Sequence, residues 1–480
     1  MRGVWTTEHV KAAEERLMAR VPAGTLMRRA AFGVAARAAA VLAERTGGVA
    51  GRRVTLLVGA GNNGGDALWA GHFLRRRSVA VDALLLEPDR AHAQGLAALR
   101  RAGGRIVSTV DGRTDLVVDG IVGLSAHGPL RAPAAELVAG ITAPVLAVDL
   151  PSGVDPDTGA AEGPAVTAAV TVTFGCRKPV HVLGEGLVRS GAVHLVDIGL
   201  AGELGAPDLV VLDPDDVAAT WPLPGPRDDK YTQGVTGIAA GSATYPGAAV
   251  LTTGAAVLAT SGMVRYAGSA ADEVRARWPE VVATGSVADA GRVQAWVAGP
   301  GLGTGTAGRE VLGKVLGDGL PVCVDADGIT LLATNPELWD ARDPAVPVVL
   351  TPHDREFARI ADPVRVTLGP DRVAAARALA AKTNCVVLLK GYSTVVADPA
   401  GRVLVNPAHS AWLATAGSGD VLSGLIGALL AAGIDPWLAA GCAAWVHERA
   451  GALAAAGAPA PASKIVAAVP DAIRSARGLV

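Results

Sequence analysis

Cysteine is scarce in this chain. Cys176, Cys323, Cys385 and Cys442 are the only four in 480 residues. They are widely spaced and form no C-x-x-C pair, which argues against a disulfide scaffold or a zinc cluster and fits a reducing cytoplasm. An excess of either charge is missing too. There are 43 Lys and Arg against 45 Asp and Glu, a net charge of −2. No like-charge block exceeds Arg75-Arg76-Arg77, so nucleic acid is disfavoured as the main partner. A membrane span is also lacking, although half the residues are hydrophobic, only 18% are charged and mean hydropathy is +0.36. The most apolar stretch, residues 421–446, carries one charge, Asp435, and Gly433-Ile434-Asp435-Pro436 cuts it in two. Neither piece reaches the roughly 20 residues that cross a bilayer. Residues 1–9 have no apolar h-region, so no secretory signal is expected. Glycine (60) and proline (30) are plentiful but scattered between apolar runs, as in a folded, turn-rich chain.

What remains is a regular alternation of short apolar runs and helical patterns. The runs at 54–58, 79–86, 115–118, 145–148 and 170–174 read as strands, and 67–77 as a helix. Continuous apolar runs bounded by glycine and proline suit buried strands of a parallel sheet. The pattern lapses between about residues 200 and 230, where five prolines and six aspartates gather. It restarts with strand-like runs at 235–240, 293–298, 321–324, 346–350 and 385–389, and helix-like runs at 247–260, 370–382 and 420–432. The fold class is therefore α/β with two domains. The first, residues 1–205, is a Rossmann-like doubly wound sheet. Residues 206–226 are expected to be a linker, and residues 227–480 a second α/β domain.

Three polar turns follow strands in the first domain. Gly59-Ala60-Gly61-Asn62-Asn63-Gly64-Gly65-Asp66 satisfies G-x-G-x-x-G and opens a helix. Asp66 sets a carboxylate beside that helix N-terminus, where it competes with a bound phosphate. The others are Val118-Asp119-Gly120-Ile121-Val122-Gly123, leading to Arg131, and Val148-Asp149-Leu150-Pro151-Ser152-Gly153. Loops leaving strand C-termini share one sheet edge, so Asn63, Asp119 and Ser152 can converge. Their oxygen-only ligands with one full charge suit a hard monovalent ion rather than zinc. Three independent turn caps are the other reading.

In the second domain, Ala416-Gly417-Ser418-Gly419-Asp420 opens an apolar helix. Glycine N–H groups there form an anion pocket, and Asp420 beside it can take a proton from a hydroxyl. No Gly-Lys-Ser/Thr follows, so this is not a P-loop. Lys390-Gly391-Tyr392-Ser393-Thr394 ends a strand with a cation and a turn, suited to nucleotide phosphates. Asp325-Ala326-Asp327-Gly328, Thr351-Pro352-His353-Asp354 and Gly299-Pro300-Gly301 each follow a strand as well.

These motifs resemble two families. GNNGGD at 61–66, VVDGIVG at 117–123, AVDLPSGVDPDTG at 147–159 and TFGCRKP at 173–179 are similar to the NAD(P)H-hydrate epimerase domain, over most of residues 1–200. The resemblance implies potassium on Asn63, Asp119 and Ser152. It implies hydrated nicotinamide nucleotide along Asn62, Asn63, Gly64, Gly65, Asp66, the segment from Gly123 to Arg131, and Asp149. It names Asp149 as the acid–base group, with Lys178 as a partner. Relatives often read F-G-T-G where this chain has Val122-Gly123-Leu124-Ser125-Ala126-His127-Gly128. KYTQG, YPGAA, GPGLG, TPHDREF, KGYST and GSGD resemble, in order, the NAD(P)H-hydrate dehydratase branch of the ribokinase-like superfamily, over most of residues 225–480. That implies nucleotide phosphates on Lys390, Gly391, Tyr392, Ser393, Thr394, Gly417, Ser418 and Gly419. Hydrated substrate would contact Ala249, Gly301, His353 and Asp420, with Asp420 catalytic. Relatives usually read H-K-Y and G-T-G-D, where Asp229 and Ser418 stand here.

The expectation is thus a bifunctional repair enzyme of hydrated NADH and NADPH, using potassium, magnesium and ADP as co-substrate. It would be a cytoplasmic homo-oligomer acting on small molecules, with no membrane partner. One alternative is a dinucleotide-binding domain joined to a small-alcohol or vitamin-precursor kinase. Another is a dehydratase carrying a non-catalytic N-terminal module.

Overall fold

The computed structural model describes residues 1–125, 128–260, 262–408 and 410–479. The chain divides into two compact units, Gly3–Leu209 and Met1–Arg2 with Val210–Val480. Among the described residues no helix is long and apolar enough to cross a membrane. The apolar stretch 421–446 belongs instead to two helices, Ser418–Ala431 and Pro436–Ala455.

The N-terminal unit is built on a parallel sheet. Its strand order is Arg105–Val107, Ala80–Leu85, Arg53–Val58, Leu116–Gly120, Val145–Val148, Val170–Phe174, Ala192–Val196. Every pairing is parallel. The strands 116–120, 145–148 and 170–174 are buried along their whole length. That is why residues 116–118 and 145–148 read as unbroken apolar runs, whereas Val170–Phe174 alternates with Thr171 and Thr173, which are buried and donate to Ser190 O and Asp149 Oδ1. The chain first winds one way from Arg53–Val58 and then the other from Leu116–Gly120, so the switch point lies between those two strands.

In the second unit the order is Leu209–Val211, Val403–Pro407, Ser393–Ala397, Val386–Leu389, Val348–Leu350, Val322–Val324, Ala295–Ala298, Val235–Ala239, Met263–Ala267, Val282–Thr284. Ser393–Ala397 runs antiparallel to both its neighbours, and the other pairs are parallel. The segment expected as a linker holds structure. Leu209–Val211 pairs with the sheet through Val210 and Leu404. Pro214–Thr220 forms a helix closed by a capping box of Asp213 and Asp216. The prolines and aspartates clustered there are helix-start residues as well as loop residues, which composition alone does not separate.

Helix Ser418–Ala431 is seated by its glycines. A Cβ on Gly424 would stand 2.2 Å from the Thr252 carbonyl oxygen of helix Pro246–Ala259, and one on Gly427 would stand 2.1 Å from Val297 Cγ2. This close packing aims the helix N-terminus at the sheet edge where Asp325 and Lys390 emerge. Alanine in a helix gains up to about 1 kcal/mol over glycine, whereas overpacking against backbone costs about 1–3 kcal/mol. Gly424→Ala is therefore expected to lower the denaturation midpoint of the protein, as measured by circular dichroism.

Candidate functional site

At the switch point of the N-terminal unit the first two loops touch. Gly59 N donates to Gly120 O at 3.0 Å. A Cβ on Gly59 would lie 1.8 Å from the Ile121 carbonyl oxygen, so only glycine permits the approach. Helix Asn62–Arg75 starts within the glycine-rich segment, not after it. Asn63 Nδ2 donates to Val122 O at 2.9 Å. Asp119 is fully buried; its Oδ1 accepts from Ser152 Oγ at 2.7 Å and from Ile121 N at 3.2 Å, and its Oδ2 from Ser152 N at 2.9 Å. Ser152 Oγ accepts from Val122 N at 3.1 Å. Asn63, Asp119 and Ser152 thus converge, tied together through Val122.

This cluster fits a monovalent cation. Its donors are all oxygens, and Asn63 keeps its Oδ1 free by donating through Nδ2, with Oδ1 turned towards Gly123. Burial pushes the Asp119 carboxyl up to about 6, against the pull of its Ser152 and Ile121 donors. A bound cation would offset that burial cost.

Asp149 adopts a left-handed backbone, φ 68°, immediately after its strand. Lys178 Nζ donates to Asp149 Oδ1 at 2.6 Å, to Thr173 Oγ1 at 2.8 Å and to Phe174 O at 3.1 Å. Thr173 Oγ1 also donates to Asp149 Oδ1, at 2.9 Å. Lys178 is only 1% exposed, so it is a buried ion-pair partner and not a solvated loop lysine. His181 locks the turn from behind. Its Nδ1 accepts from Lys178 N at 3.0 Å, which leaves the Nε2 proton for Asp149 O at 2.8 Å. Burial pushes His181 down to about 4, with Lys178 adding to the effect, so the ring stays neutral.

A cavity of about 510 Å³ is lined by Asn62, Asn63, Asp66, Gly123, Asp149 and Phe174. Glu14, from the N-terminal helix Thr7–Met18, lines it too. Burial, then Asp149 and Glu14, hold the Asp66 carboxyl well above its ordinary range.

In the second unit Lys390 Nζ donates to Asp325 Oδ1 at 2.7 Å and lies 3.7 Å from Glu356 Oε2. Ser423 Oγ donates to Asp325 Oδ2 at 2.8 Å. Burial disfavours the Lys390 charge, but Asp325 and Glu356 outweigh it and raise its pKa. Gly417, at φ 85°, is the N-cap of the helix that carries Asp420 in its first turn. A Cβ on Gly419 would come within 3.5 Å of Lys390 Nζ, which places the helix N-terminus beside the lysine. Burial pushes Asp420 up to about 7, with Asp325 and Asp327 raising it and Lys390 opposing.

The other expected residues are placed as follows. Gly64 and Gly65 are packing positions: Cβ atoms there would meet Gly59 O at 2.2 Å and the Met27 methyl at 2.9 Å. Arg131 lines a separate cavity of about 480 Å³ with Gly59, Ile121 and Ser125, and its guanidinium is 3.7 Å from Glu87. Ala126 and His127, within the segment from Gly123 to Arg131, lie outside the described residues. Ala249 is fully buried under the Gly241 turn, and Gly301 holds φ 62° against Ala248 and Tyr245. His353 caps helix Asp354–Ala361, its Nδ1 accepting from Arg355 N at 3.1 Å. Ser393 is buried with its Oγ unpartnered, Thr394 Oγ1 donates to Gly391 O at 3.3 Å, and Tyr392 is exposed. Ser418 Oγ donates to Leu413 O at 2.8 Å. Asp229 accepts from Tyr231 N and Thr232 N and so closes its own turn.

Sequence reasoning did not pick out Glu14, His181, Asp325, Asp327, Glu356 or Ser423 as site residues. Asp325 and Asp327 had a signal, since they follow a strand at the working edge of the sheet.

Residues 236–470 match the NAD(P)H-hydrate dehydratase family, and residues 23–180 match the YjeF-related protein N-terminus family. The bifunctional NAD(P)H-hydrate repair enzyme Nnr of Mycobacterium tuberculosis is 59% identical over 432 residues, 89% of each chain. That of Mycobacterium leprae is 57% identical over 459 residues, 95% of each chain. A ribokinase-like superfamily protein of Enterococcus faecalis superposes with a TM-score of 0.50 at 23% identity, covering 56% of this chain and 96% of its own. That likeness concerns the fold.

Proposed function

The chain belongs to the family of bifunctional NAD(P)H-hydrate repair enzymes, and from that membership we propose how its two units divide one repair. The protein is an enzyme that returns hydrated NADH and NADPH to use, as epimerase and as dehydratase. A dihydronicotinamide ring contains enamine double bonds. Water added across one leaves a hydroxyl on the carbon next to the ring nitrogen, in R and S forms. The N-terminal unit interconverts these forms, and the second unit removes the hydroxyl from the S form. The observation that carries this reading is the 59% identity over 89% of the chain, which extends through both units. The buried Asp149–Lys178 pair favours a catalytic N-terminal unit over a non-catalytic module.

In the second unit ADP is the phosphoryl donor. Asp420 takes the proton of the substrate hydroxyl, which receives the terminal phosphoryl group of ADP as AMP is released; the ring nitrogen's lone pair then expels phosphate, and loss of a proton from the neighbouring carbon restores the double bond. Lys390 and the Gly417–Gly419 amides hold the nucleotide phosphates, because fixed donors at a helix N-terminus oppose developing negative charge. Magnesium would arrive on the nucleotide. Among the described residues no cluster of three acidic, histidine or cysteine ligands forms a metal cage. Magnesium in such sites rests largely on phosphate oxygens and one or two carboxylates. Potassium would be held by Asn63, Asp119 and Ser152 and would fix the loops that frame the cavity.

The test supplies NADH hydrate with ADP, and separately with ATP, and follows the return of reduced nicotinamide absorbance. Both epimers should be consumed with ADP. Consumption of the S form alone removes the epimerase assignment, and no recovery with either nucleotide removes the whole reading. Exchanging potassium for a bulky organic cation is expected to slow R-to-S conversion at least about tenfold, read by chromatography of the two epimers. An unchanged rate would remove the ion from Asp119. A homo-oligomer is also proposed, and a monomer mass by light scattering would exclude it.

A further inference from the structure

In the N-terminal cavity the Asp149 carboxylate is already committed. Its Oδ1 receives both Lys178 Nζ and Thr173 Oγ1. An ion-paired carboxylate holds no proton to give, whereas removing a hydroxyl from carbon needs one delivered to the oxygen. Three further carboxyls line the same space, Asp66, Glu14 and the exposed Glu15. Asp66 is 8% exposed, and its Oδ1 is sealed from solvent with no hydrogen-bond partner. Glu14 stands where this cavity meets a second one of about 430 Å³; both are lined by Glu14, Met18, Asn62, Asp66 and Phe174.

The helix that carries Glu14 is held firmly. Thr7, Val10, Ala13 and Leu17 form its buried stripe, and Thr7 N and Oγ1 bond Asp157 at 2.8 and 2.5 Å. Lys11, Glu14, Glu15 and Met18 are left on the cavity side. Asp149 comes from a different wall, the loop after Val145–Val148. A ligand filling the cavity lies between elements bearing the two carboxyls.

We infer that Glu14 is the proton donor that works against Asp149 in the epimerase site, and this rests on the epimerase reading above. Glu14 gives its proton to the ring hydroxyl, and the C–O bond breaks with release of water. The nitrogen lone pair forms a C=N bond. Water then adds to the other face of that carbon, its proton goes to Asp149, and the C=N electrons return to nitrogen. One water leaves and one enters, with no oxidation. The opposite direction runs the same steps backwards, and both carboxyls reset by exchange with solvent. The proton on Glu14 has a physical cause. Burial raises its pKa and Asp149 adds to this, while Lys178 and Lys11 oppose. Glu15 and Asp66 are the other acidic groups at the same cavity.

The full-length protein tests this with one variant and two readouts. Glu14→Gln is expected to slow R-to-S exchange at least about 100-fold, the usual scale for a proton-transfer group. ADP-dependent dehydration of the S form should stay within about twofold, which also reports that the protein is folded. Wild-type exchange should fall at high pH as Glu14 ionises, and Glu14→Gln should lack that limb. Glu14→Asp should recover part of the rate with the limb displaced. Exchange at the wild-type rate in Glu14→Gln, with the limb intact, overturns the assignment. So does an equal loss in both variants with an unmoved limb, the mark of a structural role. A wild type that never exchanges epimers takes down the epimerase reading itself.

Discussion

Replacing Asp420 by asparagine is expected to lower ADP-dependent dehydration by about 10²–10⁴-fold while R-to-S exchange continues. Asparagine keeps the shape and the place in the first turn of helix Ser418–Ala431 but cannot accept a proton. The Asp420 carboxyl is also the group whose titration the reaction should follow. Burial, with Asp325 and Asp327, carries it up to about 7. A base must be deprotonated to act, so kcat/KM should rise with pH and level off above about 7. The sign follows from the raised value: below it the carboxyl is protonated and idle. Stopped assays of NADH recovery between pH 5.5 and 8.5 check this, with a melting curve to confirm that the variant is folded. A variant that keeps its activity, or a profile that falls through pH 7, would remove Asp420 as the base.

The α/β class and most strands of both sheets were legible because buried parallel strands require continuous apolar runs, and runs such as 145–148 and 385–389 are visible one at a time. The Asn63, Asp119 and Ser152 cluster was legible for a related reason. Turns that follow strands share one sheet edge, so three separate loops can be placed together without coordinates. Glu14 was not legible. It lies in an ordinary-looking amphipathic helix, Thr7–Met18, and only the packing of that helix brings it to the cavity. His181 was hidden likewise, since a neutral ring bridging Lys178 N and Asp149 O leaves no pattern in sequence. The antiparallel pair Ser393–Ala397 and Val403–Pro407 was missed because its first strand begins inside the phosphate motif Lys390–Thr394, which reads as a turn. The two helices at the sites start earlier than expected for one reason. Glycines at 61 and 417 serve as N-caps with positive φ, so the helix begins inside what reads as a loop.

Asp149→Asn is expected to abolish epimer exchange and also to weaken the N-terminal unit, and the two losses have separate causes. The backbone is not one of them. Asp149 sits at φ 68°, and asparagine tolerates the left-handed region as readily as aspartate does. The substitution therefore changes charge at nearly constant shape. Its first effect falls on Lys178, which is 1% exposed and loses the one carboxylate paired with it among the described residues. A buried ion left without its partner costs about 3–5 kcal/mol. Thr173 Oγ1 and Phe174 O still accept from Nζ and offset part of that cost. Unfolding in urea should show the loss, while dehydration of the S form by the other unit continues under native conditions. Its second effect is chemical, because the carboxylate assigned to take the proton of the incoming water is gone. The double variant Asp149→Asn with Lys178→Met separates the two. Removing the stranded ammonium should restore much of the stability, since replacing a whole buried pair with apolar groups is often neutral or better. Epimer exchange should not return. Recovery of exchange together with stability would mean that Asp149 only holds Lys178 in place, and that the acid–base work is done elsewhere in the cavity.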